Sequence, residues 1–165
     1  MIHFSNFDWS ETEMAVTKEQ IIASLVKAYN MEVETVLNYL GNSLHMEGVR
    51  AEFIKQALAT DIQEELGHAQ QLGHRIKQLG GSIPGSLGLK MEQSSLQPQL
   101  DTTDVVDVIR GVLKAEEDAI AQYNHIIRQT DGIDYVTQYL AITLLSAEEE
   151  HRQQFEGYLK EYTKK

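Results

Sequence analysis

The chain has 165 residues, enough for one domain with a substantial core, and 42% of its residues are hydrophobic. Its 25 acidic residues outnumber its 14 basic ones, and the formal net charge of −11 argues against a surface that binds nucleic-acid phosphates. The absence of cysteine excludes disulfides, thiolate metal sites and thiol catalysis. No apolar run is long enough to span a membrane, and the N-terminus lacks the pattern of a signal peptide. We therefore expect a cytoplasmic protein without a membrane partner.

The chain begins with a predicted N-terminal arm, residues 1–16, followed by one predicted domain, residues 17–165. Thr17 and Gln20 have the spacing of a capping box, which indicates that the first helix begins there. Apolar residues then recur at helical spacing until Gly41 or shortly after. A second helix is predicted from about Val49 to Leu79, where two glycines end it.

A long loop follows, at about residues 80–103, and it contains both prolines of the chain. A loop of this length inside a small domain is unusual unless it crosses from one end of a helix bundle to the other. A third helix is predicted from about Asp104 to Thr130, and a fourth from about Asp134 to near the C-terminus. Short links within each helix pair and one long link between the pairs predict an all-α, ferritin-like four-helix bundle with a long crossover between helices 2 and 3.

Two Glu-x-x-His pairs lie in the second and fourth predicted helices, and on a helix residues three apart share a face. In the first and third helices, Glu32 and Glu116 interrupt the apolar stripes, whereas Glu34 and Glu117 are off the stripes and are expected to be solvated. Each half of the chain thus repeats one pattern of glutamate, tyrosine, glutamate and histidine. The residues of this pattern are Glu32, Tyr39, Glu65 and His68 in the first half and Glu116, Tyr123, Glu148 and His151 in the second.

The physical chemistry of this pattern indicates a metal site. Four carboxylates directed into an apolar core would repel one another and lose their hydration. Two divalent cations would neutralise them, and oxygen ligands with some imidazole nitrogen suit iron or manganese. We therefore predict that each chain binds two metal ions.

The same residues resemble the di-iron carboxylate motif of the ferritin-like superfamily, most closely that of bacterioferritin, over roughly residues 17–160. The stretch NMEVETVLNYL around Glu32 is similar to the first ligand helix of that family. The resemblance implies two Fe per subunit, with Mn possible, and a tyrosine near the metals at Tyr39. It also implies the ligand roles: Glu65 and Glu148 would bridge both metals, with Glu32 and His68 completing one position and Glu116 and His151 the other.

The sequence departs from bacterioferritin in three ways. Leu66 occupies the position of the haem-ligating methionine, so no haem is expected. We expect no fifth helix after the bundle, and this absence together with the N-terminal arm resembles the twelve-subunit Dps-like mini-ferritins. A homo-oligomer of twelve subunits is therefore favoured over one of twenty-four, although the cysteine pair of one Dps-like branch is missing.

The resemblance implies a ferroxidase that oxidises Fe(II) with O2 or H2O2 and stores Fe(III) in a shell. Such a protein would act in iron homeostasis, detoxification and oxidative stress. The alternative is a di-metal oxidoreductase without storage, such as a rubrerythrin-like peroxidase or a manganese catalase. Direct nucleic-acid binding is not expected.

For Asp61, which lies one turn before Glu65, both an iron path and a solvated or hydrogen-bonding role remain open. Glu64 adjoins the motif without the helical phase for ligation, and three further histidines are expected at the surface or around the site: His45, His74 and His125.

Overall fold

The computed structural model describes residues 16–164, which form four long helices and contain no strand. The helices are α1 (Lys18–His45), α2 (Glu52–Gln78), α3 (Val105–Thr130) and α4 (Tyr135–Tyr162), with a short 3-10 helix, Ser86–Gly88, between α2 and α3. The predicted all-α bundle with its crossover between the second and third helices is confirmed. The arm predicted for residues 1–16 lies outside the described residues except for Val16. In the described part of the chain, no helix combines the length and the apolar character needed to cross a bilayer.

Polar caps and glycines set the helix ends. The capping box at the start of α1 is present, because Thr17 Oγ1 accepts the N–H of Gln20 while the Gln20 side chain accepts the N–H of Thr17. Asp104 and Asp134 cap α3 and α4 by accepting backbone N–H groups with their carboxylates. At the end of α2, Gly80 has a φ of +79°, a left-handed conformation that favours glycine. These local signals explain why the predicted helix ends are close to the observed ones.

The crossover packs along α1, and this packing corrects one expectation. Glu34 is buried rather than solvated, since its carboxylate accepts the backbone N–H groups of Glu92 and Gln93 at 2.7 and 2.8 Å. Glu92 and Gln93 lie outside any helix or strand that would satisfy these donors, so a carboxylate from α1 does so. Further along, the crossover passes so close to α3 that a Cβ atom at Gly111 would lie 2.5 Å from the carbonyl oxygen of Ser95.

The bundle interior consists of two apolar clusters with a polar layer between them. Each helix packs mainly against its hairpin neighbour, α1 against α2 and α3 against α4. One cluster is built on Ile54, Leu58, Ile109, Val112 and Phe155, among others. The other is built on Leu25, Leu72, Ile76, Ile126 and Leu144, among others. Burial on both sides shields the polar layer from water and from bulk charge screening.

Candidate metal centre

Six acidic and imidazole side chains meet in this polar layer, and each of the four helices contributes. We refer to them as the Glu/His cluster: Glu32 from α1, Glu65 and His68 from α2, Glu116 from α3, and Glu148 and His151 from α4. Each is at most 5% exposed, and carboxylates are rarely so deeply buried without a partner. The structure thus brings together the six residues that were predicted as metal ligands.

The ligand atoms of the Glu/His cluster fall into two overlapping groups. One group contains Glu32 and His68, the other contains Glu116 and His151, and both contain Glu65 and Glu148. Within each group the candidate ligand atoms all lie within 4.8 Å of one another. A pair of metal ions that shares two carboxylates needs such an arrangement.

Both imidazole rings direct Nδ1 toward the carboxylates. Nδ1 of His68 lies 3.0 Å from Glu148 Oε1 and 3.4 Å from Glu65 Oε2. Nδ1 of His151 lies 3.4 Å from Glu65 Oε1 and 3.6 Å from Glu148 Oε2. The ring centroids are 6.3 Å apart, so each ring faces a different end of the shared carboxylates.

Two buried tyrosines hold the outer glutamates from the opposite helix hairpin. Tyr39 on α1 donates its hydroxyl hydrogen to Glu116 Oε1 on α3 at 2.5 Å. Tyr123 on α3 donates in the same way to Glu32 Oε1 on α1. The sequence resemblance pointed to Tyr39, and the duplicated pattern to Tyr123. Their exchange of partners fixes the two hairpins against each other at the level of the Glu/His cluster.

The pKa values show how the cluster balances its charge without metal. Burial lowers the pKa of His68 and His151, but contacts with the carboxylates outweigh burial and raise the pKa of each to about 12. Burial raises the pKa of Glu65, but its contacts with the two imidazoles outweigh burial and lower that pKa to about 2. For Glu32 and Glu116, burial and then repulsion from other carboxylates raise the pKa well above the ordinary value. The metal-free cluster therefore holds protons that a metal ion must displace.

The hydrogen bonding within the described residues leaves part of this cluster unsatisfied. Four atoms of the cluster are buried there without a hydrogen-bond partner: Glu65 Oε1, His68 Nδ1, Glu148 Oε1 and His151 Nδ1. A buried polar atom without a partner costs free energy, and these four belong to the shared carboxylates and the two rings. Oxygen and imidazole donors in this proportion suit iron or manganese, so the residues present fit a pair of such ions.

Two further carboxylates on α2 lie beside the cluster. Asp61 is 7% exposed, its Oδ2 has no hydrogen-bond partner among the described residues, and burial raises its pKa to about 6. The side chain of Glu64 is 53% exposed, yet its Oε2 lies 3.3 Å from Nε2 of His151. Sequence periodicity placed Asp61 one turn before Glu65 but gave no sign that Glu64 contacts a residue of another helix. The three other predicted histidines are exposed: His45, His74 and His125.

Comparisons with known proteins agree with this geometry. The family model of the ferritin-like domain matches residues 22–164. A DNA protection during starvation protein from Pyrococcus furiosus is 29% identical over 143 residues, which cover 86% of this chain and 77% of that protein.

Solved structures share the fold, and two of them are similar to this chain over most of its length. The dodecameric thioferritin of Bacteroides fragilis, a bacterioferritin-related protein, superposes with a TM-score of 0.76 at 24% identity, covering 90% of this chain and 89% of that one. The bacterioferritin of Desulfovibrio desulfuricans, which has a diiron site, superposes with a TM-score of 0.75 at 21% identity, covering 87% and 80%.

Proposed function

Because the chain belongs to the ferritin-like domain family, we propose that it is a ferroxidase that oxidises Fe(II) at the Glu/His cluster and stores the ferric product inside a homo-oligomeric shell. The observation that carries this proposal is the pair of overlapping ligand groups that share two buried carboxylates. A site for one metal ion would need neither the second group nor the shared members.

The proposed ligands are the six residues of the Glu/His cluster. Glu65 and Glu148 would bridge two iron ions, Glu32 and His68 would complete one position, and Glu116 and His151 would complete the other. Tyr39 and Tyr123 do not bind iron; each donates a hydrogen bond to one outer glutamate and so limits its movement. The same donor set accommodates Mn(II), which makes manganese a competing ion.

Holding two Fe(II) side by side suits a two-electron oxidant. The two ions lose one electron each, and these electrons with two protons reduce O2 to H2O2. When H2O2 is the oxidant, two electrons and two protons convert it to two water molecules. Carboxylates are hard ligands that favour Fe(III) over Fe(II), so the donor set supports the direction of this reaction.

Storage requires an assembly, and we propose a closed shell of twelve subunits rather than twenty-four. The relative from Bacteroides fragilis is dodecameric, and the formal net charge of −11 gives a shell the negative surface that attracts Fe(II). No haem is expected, because Leu66 offers no ligand atom. The net charge also opposes direct DNA binding, so the name of the Pyrococcus relative describes that protein only.

The test combines native mass with iron loading. Native mass spectrometry and electron microscopy should show a hollow particle, and aerobic addition of hundreds of Fe(II) per particle should leave a ferric core that co-migrates with the protein. Glu65→Ala should abolish rapid oxidation, whereas Glu117→Ala, which removes an exposed glutamate next to Glu116, should not. A dimer that consumes H2O2 and retains no iron would instead identify an oxidoreductase without storage.

A further inference from the structure

The two halves of the Glu/His cluster are not equivalent, although the sequence pattern repeats. His151 contacts carboxylates through both ring nitrogens: Nδ1 faces the cluster, and Nε2 lies 3.3 Å from Glu64 Oε2. Within residues 16–164, every ion-pair contact of His68 is made through Nδ1. Among the described residues, His151 therefore has a carboxylate at its outer nitrogen and His68 does not.

The internal duplication explains this difference at the level of single residues. Glu64 directly precedes Glu65, and the residue that directly precedes Glu148 is Ala147. An alanine side chain cannot accept a hydrogen bond, so the second hairpin has no counterpart of the Glu64 carboxylate. The difference between the two hairpins at this position is therefore encoded in the sequence.

A carboxylate at the outer nitrogen of a metal-binding histidine has a known physical effect. It accepts the N–H of that nitrogen, which fixes the tautomer and the ring orientation and increases the basicity of the nitrogen that binds metal. In His151 a carboxylate at Nε2 would keep the proton on that nitrogen when Nδ1 releases its own proton to bind metal.

We propose that Glu64 is a positioning residue for His151 and that it makes the metal position of Glu116 and His151 tighter than the position of Glu32 and His68. The inference rests on the proposed function, because it takes the ligand assignment given there. Loss of such a carboxylate typically weakens metal binding by roughly 10- to 100-fold. Because the Glu64 side chain is half exposed, we expect about tenfold, the lower end of that range.

The test is anaerobic titration of the metal-free, full-length protein with Co(II), followed through the visible absorption of the bound ion. Two variants that each lack one metal position allow the positions to be measured separately. Glu32→Ala keeps the position of Glu116 and His151, and Glu116→Ala keeps the position of Glu32 and His68. Adding Glu64→Ala should weaken Co(II) binding about tenfold in the first background and leave it unchanged in the second. Glu64→Gln keeps an acceptor oxygen and should restore most of the affinity.

The controls distinguish this inference from the proposed function. Glu117→Ala, which removes the same charge at an exposed site, should leave both affinities unchanged. Equal Co(II) affinity with and without Glu64 in the Glu32→Ala background would overturn the inference and leave the proposed function intact. If the wild-type protein bound no Co(II), the ligand assignment itself would fail. An equal loss in both backgrounds would identify a general electrostatic effect and would also overturn the inference.

Discussion

Metal binding should stabilise the folded protein strongly, and this prediction examines the Glu/His cluster independently of any activity. Loading the metal-free protein with Mn(II), which is not oxidised under the conditions of a melting experiment, should raise the melting temperature. The reason is that the folded state gathers six ligands at one place, whereas the unfolded chain does not. Glu65→Ala, which removes a carboxylate common to both ligand groups, should abolish most of the rise.

The magnitude of the stabilisation follows from the number of metal positions. A ligand at a hundredfold excess over its Kd contributes about 2.7 kcal/mol per site, so two filled positions contribute about 5 kcal/mol. In a domain of this size 1 kcal/mol corresponds to about 2–4 °C, so we expect a rise of about 10–20 °C.

Differential scanning calorimetry over a Mn(II) titration measures this rise, and the quantity to compare between variants is the shift rather than the absolute melting temperature. Glu117→Ala serves as the control for loss of an acidic side chain and should shift like the wild type. Coincident melting curves for metal-free and Mn(II)-loaded protein would refute the reasoning, as would a full shift in Glu65→Ala.

Three further predictions concern the fold and the charge balance. Asp134→Ala should lower the free energy of unfolding by about 2–4 kcal/mol, because it removes the cap of α4 and the partly buried hydrogen bonds from Arg75; urea denaturation measures the loss. Glu34→Ala should accelerate hydrogen exchange at the amides of Glu92 and Gln93, and unchanged protection there would contradict the role given to Glu34. Metal binding at pH 7 should release protons and tighten as the pH rises, because the raised pKa values of His68 and His151 keep both rings protonated in the metal-free state. Calorimetric heats of Mn(II) binding should therefore depend on the ionisation enthalpy of the buffer, and heats independent of the buffer would contradict this proton release.

Helix order and helix ends could be predicted because the information for them is local. A capping box starts α1, a left-handed glycine follows α2, and the long crossover separates the two hairpins. The six residues of the Glu/His cluster could be predicted to share one site for a related reason. Each lies in phase with an apolar stripe, and a bundle directs all four stripes to a common axis.

The burial of Glu34 and the contact of Glu64 with His151 could not be predicted, because both depend on contacts between segments distant in the sequence. Glu34 is off the apolar stripe of α1, and only the path of the crossover makes its burial favourable. Glu64 is also out of phase on α2, and only the position of α4 brings Nε2 of His151 within reach. Helical periodicity describes which face of a helix is buried, but it carries no information about which loop or side chain from elsewhere covers the remaining faces.

Protons explain how a fold can keep such a cluster without its metal ions. Four carboxylates at this depth would repel one another severely if all were charged. The raised pKa values of Glu32 and Glu116 favour their neutral forms, while the two imidazoles become cations beside the carboxylates of Glu65 and Glu148. The negative charges of the carboxylates are thus neutralised by protons in the metal-free protein and by divalent cations in the metal-bound protein. The bundle can therefore hold the ligands in place before metal arrives, at the cost of a metal affinity that falls as the solution becomes more acidic.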